Sequence, residues 1–478
     1  KHIIKNLGFA VTFIELLSLK KRWNWVTRVT RATPYALTVI GIIIFITGAC
    51  TSWHNKMATF KLFGGKNIGE VEHELTNKGH AELYIPINRL AFSIYANKLA
   101  AKQITQLIHA AKDVRVDSCS YRSSNIVLII GESYGRHHSQ QYGYFMKTTP
   151  RQAALEKSRK LTKFTDVVTC WNLTSFVFKN VFSTHVVGEK GDWCDYPLFP
   201  ELFRKAGYQV TFITNEFLPQ AKEAVYDFSG GFFLNNPELS KLQFDNRNTE
   251  LHPLDDGLLD DYDNHLKQKQ GEHNLIIFHL MGQHVDYKSR YRKEQTEFWA
   301  GNYEDKRPEL NAKQRKMLSH YDNATLYNDS IVAQIVKRFE KEDAIIIYMP
   351  DHGEECYEEN RGFICRNHSA AIDWPLAHYE FEIPFWIYCS RKYIRKHRDI
   401  YKQIRKAKGR RYMTDALPHL LLYLAGIETP TYQAKYNILS PEYDEMRPRI
   451  LKNSADYDKL RDEHIAKEKK ANEKKKGK

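Results

Sequence analysis

Nowhere in the 478 residues do two cysteines stand two residues apart, which excludes a structural zinc ribbon. No internal repeat is present, so repeat architectures drop out as well. Long apolar runs are scarce: only one uncharged stretch reaches membrane length. With a mean hydropathy of −0.55 and 27% charged residues, that rules out a transporter made of spans throughout. Disorder is excluded as the main theme by 42% hydrophobic residues. Acidic excess is missing too, since Lys and Arg (71) outnumber Asp and Glu (57) by 14. The stretch Arg461 to Lys478 supplies four of those charges: eight cations less Asp462, Glu463, Glu468 and Glu473. A basic balance suits anionic partners, with nucleic acid and an anionic membrane surface as the two classes to weigh.

Chain order separates them. From Pro34 to Trp53 the sequence PYALTVIGIIIFITGACTSW carries no charge over 20 residues, about 30 Å of helix and enough to cross a bilayer. Lys20, Lys21, Arg22, Arg28 and Arg31 precede it, and such a cluster marks the cytoplasmic side. Everything after Trp53 is then expected outside the cytoplasm, where nucleic acid is not a partner. Because the chain opens on Lys1 and Leu7 to Leu19 reads as the end of another apolar segment broken by Glu15, the expectation is a piece of a longer membrane protein.

Seven cysteines fit an oxidising compartment. With Cys50 in the span, six remain outside, and Cys356 with Cys365 is the preferred disulfide, Cys170 with Cys194 a second; unpaired buried thiols are the alternative. Asn55 to Glu82 reads as an irregular linker. From Ile87, apolar residues at Leu90, Ala91, Ile94, Ala101, Ile104 and Ile108 keep helical spacing, with Arg89, Lys98 and Lys102 among them. That predicts an amphipathic helix, lying on a membrane surface or, as preferred, packed on the body. From His464 onward only Ile465 could join a core, and a disordered tail is expected.

After Ser124 the pattern changes to short apolar runs between longer stretches, the mark of βα units around a parallel sheet. The runs are Ile126 to Ile130, Gln209 to Thr214, Asn274 to Leu280, Ala344 to Met349 and Ile383 to Cys389; their Ile, Val, Phe and Tyr content suits strands buried on both faces. Pro200 to Gly207 reads as a short helix ended by glycine. The expected fold is α/β, a doubly wound, mostly parallel sheet flanked by helices and preceded by a transmembrane helix.

In open α/β sheets ligands bind beyond the carboxyl ends of the strands. There the chain places Gly131, Glu132 and Ser133 after the first run, His279 to His284 after the third, and Asp351, His352, Gly353, Glu354 and Glu355 after the fourth. Carboxylates and imidazoles together suit Zn²⁺ or a similar divalent ion. His137 and His138, just after the first strand, read as surface residues.

These residues carry a family resemblance. GESYGRHHSQQYGYFMKTTP (Gly131 to Pro150), HLMGQH (His279 to His284) and PDHGEE (Pro350 to Glu355) resemble the ordered motifs of the phosphoethanolamine transferases, within the alkaline phosphatase and sulfatase superfamily, over roughly Asn125 to Ser390. The resemblance implies that Glu132, Asp351 and His352 hold Zn²⁺, with Thr174 as nucleophile and fourth ligand. The sequence departs from the lipid A branch, whose threonine follows Cys-Gly: here Asn172 stands two after Cys170, which leaves Thr174, with Ser175 in reserve. His284 and His368 resemble the two histidines near the phosphoryl group or a second metal, with His378 competing for the latter place.

Carried through, the resemblance implies transfer of phosphoethanolamine from phosphatidylethanolamine to lipid A or another surface glycolipid through a phosphothreonine, by a monomer of the bacterial inner membrane whose catalytic domain lies in the periplasm. One zinc is expected and a second is possible. A phosphodiesterase or glycerophosphate transferase, and an inactive membrane-tethered binding module, are the alternatives. A sulfatase proper needs Cys/Ser-x-Pro-x-Arg, whereas TCWNLT surrounds Cys170. The expected division is 1–53 as the end of a membrane domain with its span at about 34–53, 54–122 as linker and amphipathic helix, 123–450 as catalytic body, and 451–478 as basic, disordered tail.

Overall fold

A computed structural model describes residues 32–77, 81–219 and 233–476. Seven strands form its main sheet: β1 (Asn125–Gly131), β2 (Leu161–Phe164), β3 (Gln209–Thr214), β4 (Asn246–Arg247), β5 (Asn274–His279), β6 (Ala344–Pro350) and β7 (Phe385–Cys389), in the order 2-7-6-1-5-3-4. Pairings among β6, β1, β5, β3 and β4 are parallel; β7 runs antiparallel to both β6 and β2. The five expected apolar runs are therefore all strands of one sheet, four of them parallel and the last reversed.

Period-two alternation splits β1 between two cores. Ile126, Leu128 and Ile130 join Phe178, Phe182, Leu202 and Leu417 on one face; Val127 and Ile129 join Ile331, Val332 and Ile335 on the other. Each side chain is fully buried, and burial of an aliphatic side chain of this size contributes about 1.5–3 kcal/mol. The first face is covered by α5 (Thr174–Phe182), α6 (Phe199–Lys205) and α9 (Leu417–Ala425), the second by α7 (Ala312–Phe339). α7 starts where Asn311 Oδ1 accepts from the Gln314 N–H at 3.0 Å and Gln314 answers the Asn311 N–H at 2.9 Å. α6 is the helix expected over Pro200 to Gly207, and it ends at Gly207 with φ +95°.

Register fixes where the strands stop. Gly131 pairs with Pro350, Ile130 with His279, and His279 with Thr214. The residues that follow β1, β6, β5 and β3 thus emerge side by side at one edge.

N-terminal to the sheet lie α1 (Ala32–Thr51), α2 (Trp53–Leu62), α3 (Ile68–Leu75) and α4 (Ile85–Lys112). The helix expected at about 34–53 forms as α1 as far as Thr51, where it ends. At Ser52 the Ser52 and Thr51 hydroxyls donate to carbonyls of the preceding turn, and the chain bends by 47° into α2. Among the described residues no single helix is long and apolar enough to cross a membrane, although Leu37–Thr51 and Trp53–Leu62 pass together by length and composition. Tyr35, Leu37, Val39, Ile40 and Ile42 to Ile46 are all more than half exposed. The segment Leu7 to Leu19 and the basic residues Lys20, Lys21, Arg22, Arg28 and Arg31 lie outside the described residues.

Four further expectations need correction. The stretch read as linker holds α2 and α3, the latter capped by Asn67, whose Oδ1 accepts from the Glu70 N–H at 3.0 Å, and buried through Ile68 and Val71. α4 does pack on the body, but through Ala91, Phe92, Ala96, Ala100 and Leu107, because small residues permit close approach; Ile87, Leu90 and Ile94 face outward. The tail is a helix, α10 (Tyr457–Lys476), built of Ala, Glu and Lys, all strong helix formers, and held at its start by Asp458 against the buried Arg449 at 2.6 and 3.0 Å. All seven cysteines are free. In the short hairpin Glu355–Cys356 and Ile364–Cys365, Cys356 pairs with Ile364 and Cys365 with Glu355, so the two thiols point to opposite faces. The Cys194 thiol instead meets Gln106 Oε1 at 3.5 Å, away from Cys170.

Candidate active site

At the edge where the strands emerge, Glu132 follows β1, and Asp351 and His352 follow β6; all three are fully buried. Thr174 opens α5, placing its hydroxyl at a helix N-terminus, where backbone N–H groups and the helix dipole favour an anion. Its Oγ1 lies 3.2 Å from Glu132 Oε2 and 3.3 Å from His352 Nε2. Ser175, the reserve nucleophile, is the next residue along the helix; it is Thr174 that is brought to both groups.

Each partner is held by its own backbone. His352 Nδ1–H donates to the Gly353 carbonyl at 2.8 Å, which leaves the Nε2 lone pair facing inward. Asp351 Oδ1 accepts from the Ser133 and His352 N–H groups at 3.1 and 2.7 Å, while Oδ2 has no hydrogen bond and sits 3.0 Å from His352 Nε2. Ser133, at φ +53°, also donates its hydroxyl to Glu132 Oε1 at 2.8 Å, and its carbonyl accepts from the Tyr321 hydroxyl at 2.7 Å. Gly282 after β5 has φ +47°, and a Cβ there would lie 3.0 Å from the backbone N and O of Glu132. That loop can approach only as glycine.

Two acceptors facing each other, Asp351 Oδ2 and the Nε2 lone pair, call for a cation between them. The donor atoms of Glu132, Asp351 and His352 lie within 4.8 Å of one another, and with Thr174 they make the three oxygens and one nitrogen that suit a tetrahedral divalent ion. Burial, reinforced by the Asp351 charge, pushes the Glu132 carboxyl up; burial does the same to Asp351. Burial, then the Arg366 charge, lowers His352 to about 3, so its imidazole is neutral and ready to ligate.

Arg366 was not singled out from the sequence. Its Nη1 lies 2.7 Å from His352 Nε2 and 4.0 Å from Glu132 Oε1, and its Nε 3.9 Å from Glu354 Oε2. Although burial opposes its charge, the Glu132, Glu354 and Asp351 carboxylates hold the guanidinium firmly protonated. The loop bearing it is anchored by Asn172, the residue that departs from the lipid A pattern: Asn172 Nδ2 donates to the Asn367 carbonyl at 2.9 Å and to Glu380 Oε2 at 2.7 Å. Glu354, raised to about 8 by burial, accepts from the Tyr287 hydroxyl.

His284 and His368 both stand near this group. Burial lowers His284, whose ring feels Glu132, Arg366 and His352; burial and then Arg366 lower His368 to about 4. His378 lies elsewhere, its Nδ1 2.8 Å from Glu382 Oε1 and its ring stacked on Trp374 and 4.1 Å from the His137 ring. His138 corrects the surface reading: it is 2% exposed and lies between Asp322 (3.3 Å) and Glu358 (2.7 Å). Glu216, two residues after β3, and His279, the last of β5, extend the cluster beyond Glu132, with donor atoms of all three within 4.8 Å. Burial pushes Glu216 well up and lowers His279 to about 3.

Comparison with known proteins gives a consistent picture. The family described as Sulfatase matches residues 124–427. The chain is 30% identical over 333 residues to phosphoethanolamine transferase EptC of Escherichia coli K12, covering 69% of this chain and 55% of the relative. It is 25% identical over 276 residues to the Kdo(2)-lipid A phosphoethanolamine 7''-transferase of the same strain, covering 56% and 45%. Thus the chain spans about half the length of these curated relatives. Among solved structures, the C-terminal periplasmic domain of E. coli EptC in complex with Zn superposes with a TM-score of 0.62 at 28% identity, covering 73% of this chain and 96% of that one. The fold is alkaline phosphatase/sulfatase-like.

Proposed function

The chain belongs to the sulfatase family, and we propose that within it the protein is a phosphoethanolamine transferase, moving the group from phosphatidylethanolamine to lipid A or a related surface glycolipid through Thr174. The observation that carries this is the Thr174 hydroxyl held 3.2 Å from Glu132 Oε2 and 3.3 Å from His352 Nε2, at a helix N-terminus. A threonine in that place also argues against sulfate-ester hydrolysis, because it cannot become a formylglycine.

Glu132, Asp351, His352 and Thr174 would hold the ion, zinc being the first choice given the Zn complex of the E. coli domain. Bound there, a divalent cation would supply the positive charge that lowers the pKa of the threonine hydroxyl. The chain's own residues do the rest. Glu132 Oε2 is within reach of the hydroxyl proton. The α5 N-terminus faces the phosphoryl oxygens. His284 and His368, kept neutral by burial, each offer one N–H to those oxygens. Arg366 cannot share His352 Nε2 with an ion, so on binding it turns to the phosphoryl group, where a fixed cation meets charge that grows in the transition state. Thr174 Oγ displaces the lipid alcohol to give phosphothreonine, and the acceptor oxygen then displaces Thr174.

Attachment to a membrane is supported by the uncovered apolar side chains of α1 and the outward Ile87, Leu90 and Ile94 of α4. Likeness to the periplasmic domain of E. coli EptC supports a periplasmic location of the body. The deciding experiment is incubation of the purified chain with vesicles containing both phosphatidylethanolamine and phosphatidylglycerol, followed by intact-mass and peptide analysis: a phosphoethanolamine adduct on Thr174 supports the reading, and a glycerophosphate adduct or none at all contradicts it.

A further inference from the structure

We infer that Glu216, oriented by His279, is the seat for the primary ammonium of the ethanolamine arm while its phosphoryl group is bound at Thr174. The inference rests on the transfer reading above and adds to it the residue that selects the headgroup.

Glu216 is 4% exposed and His279 fully buried. Glu216 Oε2 makes no hydrogen bond, nor does His279 Nε2, which lies 3.5 Å from it. A buried carboxylate whose nearest donor is a neutral imidazole at 3.5 Å calls for a cationic partner. Among the described residues no cation touches it: Arg366 and Arg290 act on it only from a distance. No group among the described residues completes it, and a ligand's ammonium can.

Position says which group. Along the edge of the sheet the order is Asp351 and His352 after β6, Glu132 after β1, His279 at the end of β5, and Glu216 after β3. The Thr174 hydroxyl touches Glu132, and a Glu216 carboxyl oxygen lies within 4.8 Å of a Glu132 carboxyl oxygen. A substituent on a phosphoryl group at Thr174 that runs toward β3 meets Glu216, and a two-carbon arm ending in a charged amine suits so short a reach.

A second divalent ion is the competing occupant, and the proton on His279 argues against it. Thr214 Oγ1 accepts from the Glu216 and Phe217 N–H groups, both at 3.1 Å, which fills its two lone pairs. Its own hydroxyl hydrogen then goes to His279 Nδ1, 3.0 Å away, so the ring proton sits on Nε2, facing Glu216. An imidazole in that tautomer offers no lone pair to a metal; it steadies the carboxylate that receives the ammonium.

The test uses the full chain and vesicles of phosphatidylethanolamine, N-acetylated phosphatidylethanolamine or phosphatidylglycerol, with the Thr174 adduct read by intact mass and bound zinc by elemental analysis. The wild type is expected to prefer the free amine by about ten- to hundredfold, the worth of one charge-assisted hydrogen bond. E216Q is expected to lose most of that preference while keeping its zinc and its melting temperature. Equal use of free and acetylated amine by the wild type overturns the inference without any variant, so a misfolded E216Q leaves it decidable. An E216Q protein with undiminished preference, or one that loses an equivalent of metal, overturns it as well. Should the wild type form no phosphoethanolamine adduct from any donor, it is the transfer reading that fails; an adduct with no amine preference sinks only the role of Glu216.

Discussion

The Thr174 hydroxyl reaches Glu132 Oε2 at 3.2 Å across 42 residues of sequence. One partner leaves the end of β1 and the other opens α5, so the contact exists only once the sheet has assembled. Predictions about chemistry and about folding both start from it.

Replacing Thr174 with Ala removes the proposed nucleophile and one proposed metal ligand. Transfer and adduct are both expected to vanish, a loss of about 10³-fold or more, as for removal of a covalent nucleophile elsewhere. T174S, which keeps an oxygen in place, should retain measurable adduct. Full transfer by T174A is the outcome incompatible with the assignment.

Chelation should abolish transfer and lower the melting temperature, and added Zn²⁺ should restore both. With free zinc at about 100 times its dissociation constant, the stabilisation is about 3 kcal/mol. D351N, which alters the carboxylate whose Oδ2 has no hydrogen bond, should melt at the same temperature with and without zinc; differential scanning calorimetry reads the difference.

For R366M the expected split is between chemistry and metal. kcat should fall by about 10²–10³-fold, because a cation aimed at developing phosphoryl charge is gone. Zinc affinity, measured by calorimetric titration, should hold or tighten, since the guanidinium no longer occupies His352 Nε2. A parallel fall in zinc affinity would assign Arg366 to the support of the ligands instead.

His138 predicts a pH effect on stability. Burial disfavours its charge, but Asp322 and Glu358 outweigh that and raise it from 6.5 to about 9. A pKa raised on folding contributes stability that is complete below about 6.5 and disappears as pH rises through about 9, on the order of 3 kcal/mol. Melting temperature should thus decline between pH 7 and 10, and H138Q should be less stable at pH 7 with a flatter profile.

Much of the architecture was legible because β-branched runs announce buried strands, and strand ends announce the candidate site: Glu132, Asp351 and His352 stand immediately after β1 and β6 and are brought together. What stayed hidden depends on distant partners. His138 looks like a surface histidine until Asp322, 184 residues away, is folded beside it. Arg366 sits in a polar loop whose return path is set by Asn172 and Glu380, and no local pattern encodes that. Glu216 resembles any carboxylate in a turn until β3 is placed beside β5. The Cys356–Cys365 pair misled because nearness in sequence says nothing of which face each thiol takes in the hairpin. α2 and α3 are too short and polar for periodicity to show, and the helix over the tail depends on residue propensity rather than on any core.

Gly282 gives this arrangement a practical boundary. With a Cβ at Gly282 brought to 3.0 Å from the Glu132 backbone, and the Gln283 N–H donating to the Glu132 carbonyl at 3.1 Å, the strand exits of β1 and β5 are welded at one point. A loop transplanted after β5 therefore has to keep Gly282 to Arg290, because Gln283 donates to the Glu132 carbonyl, His284 faces Glu132 and Tyr287 donates to Glu354; an earlier cut would reshape the surroundings of Glu132 and Thr174 together.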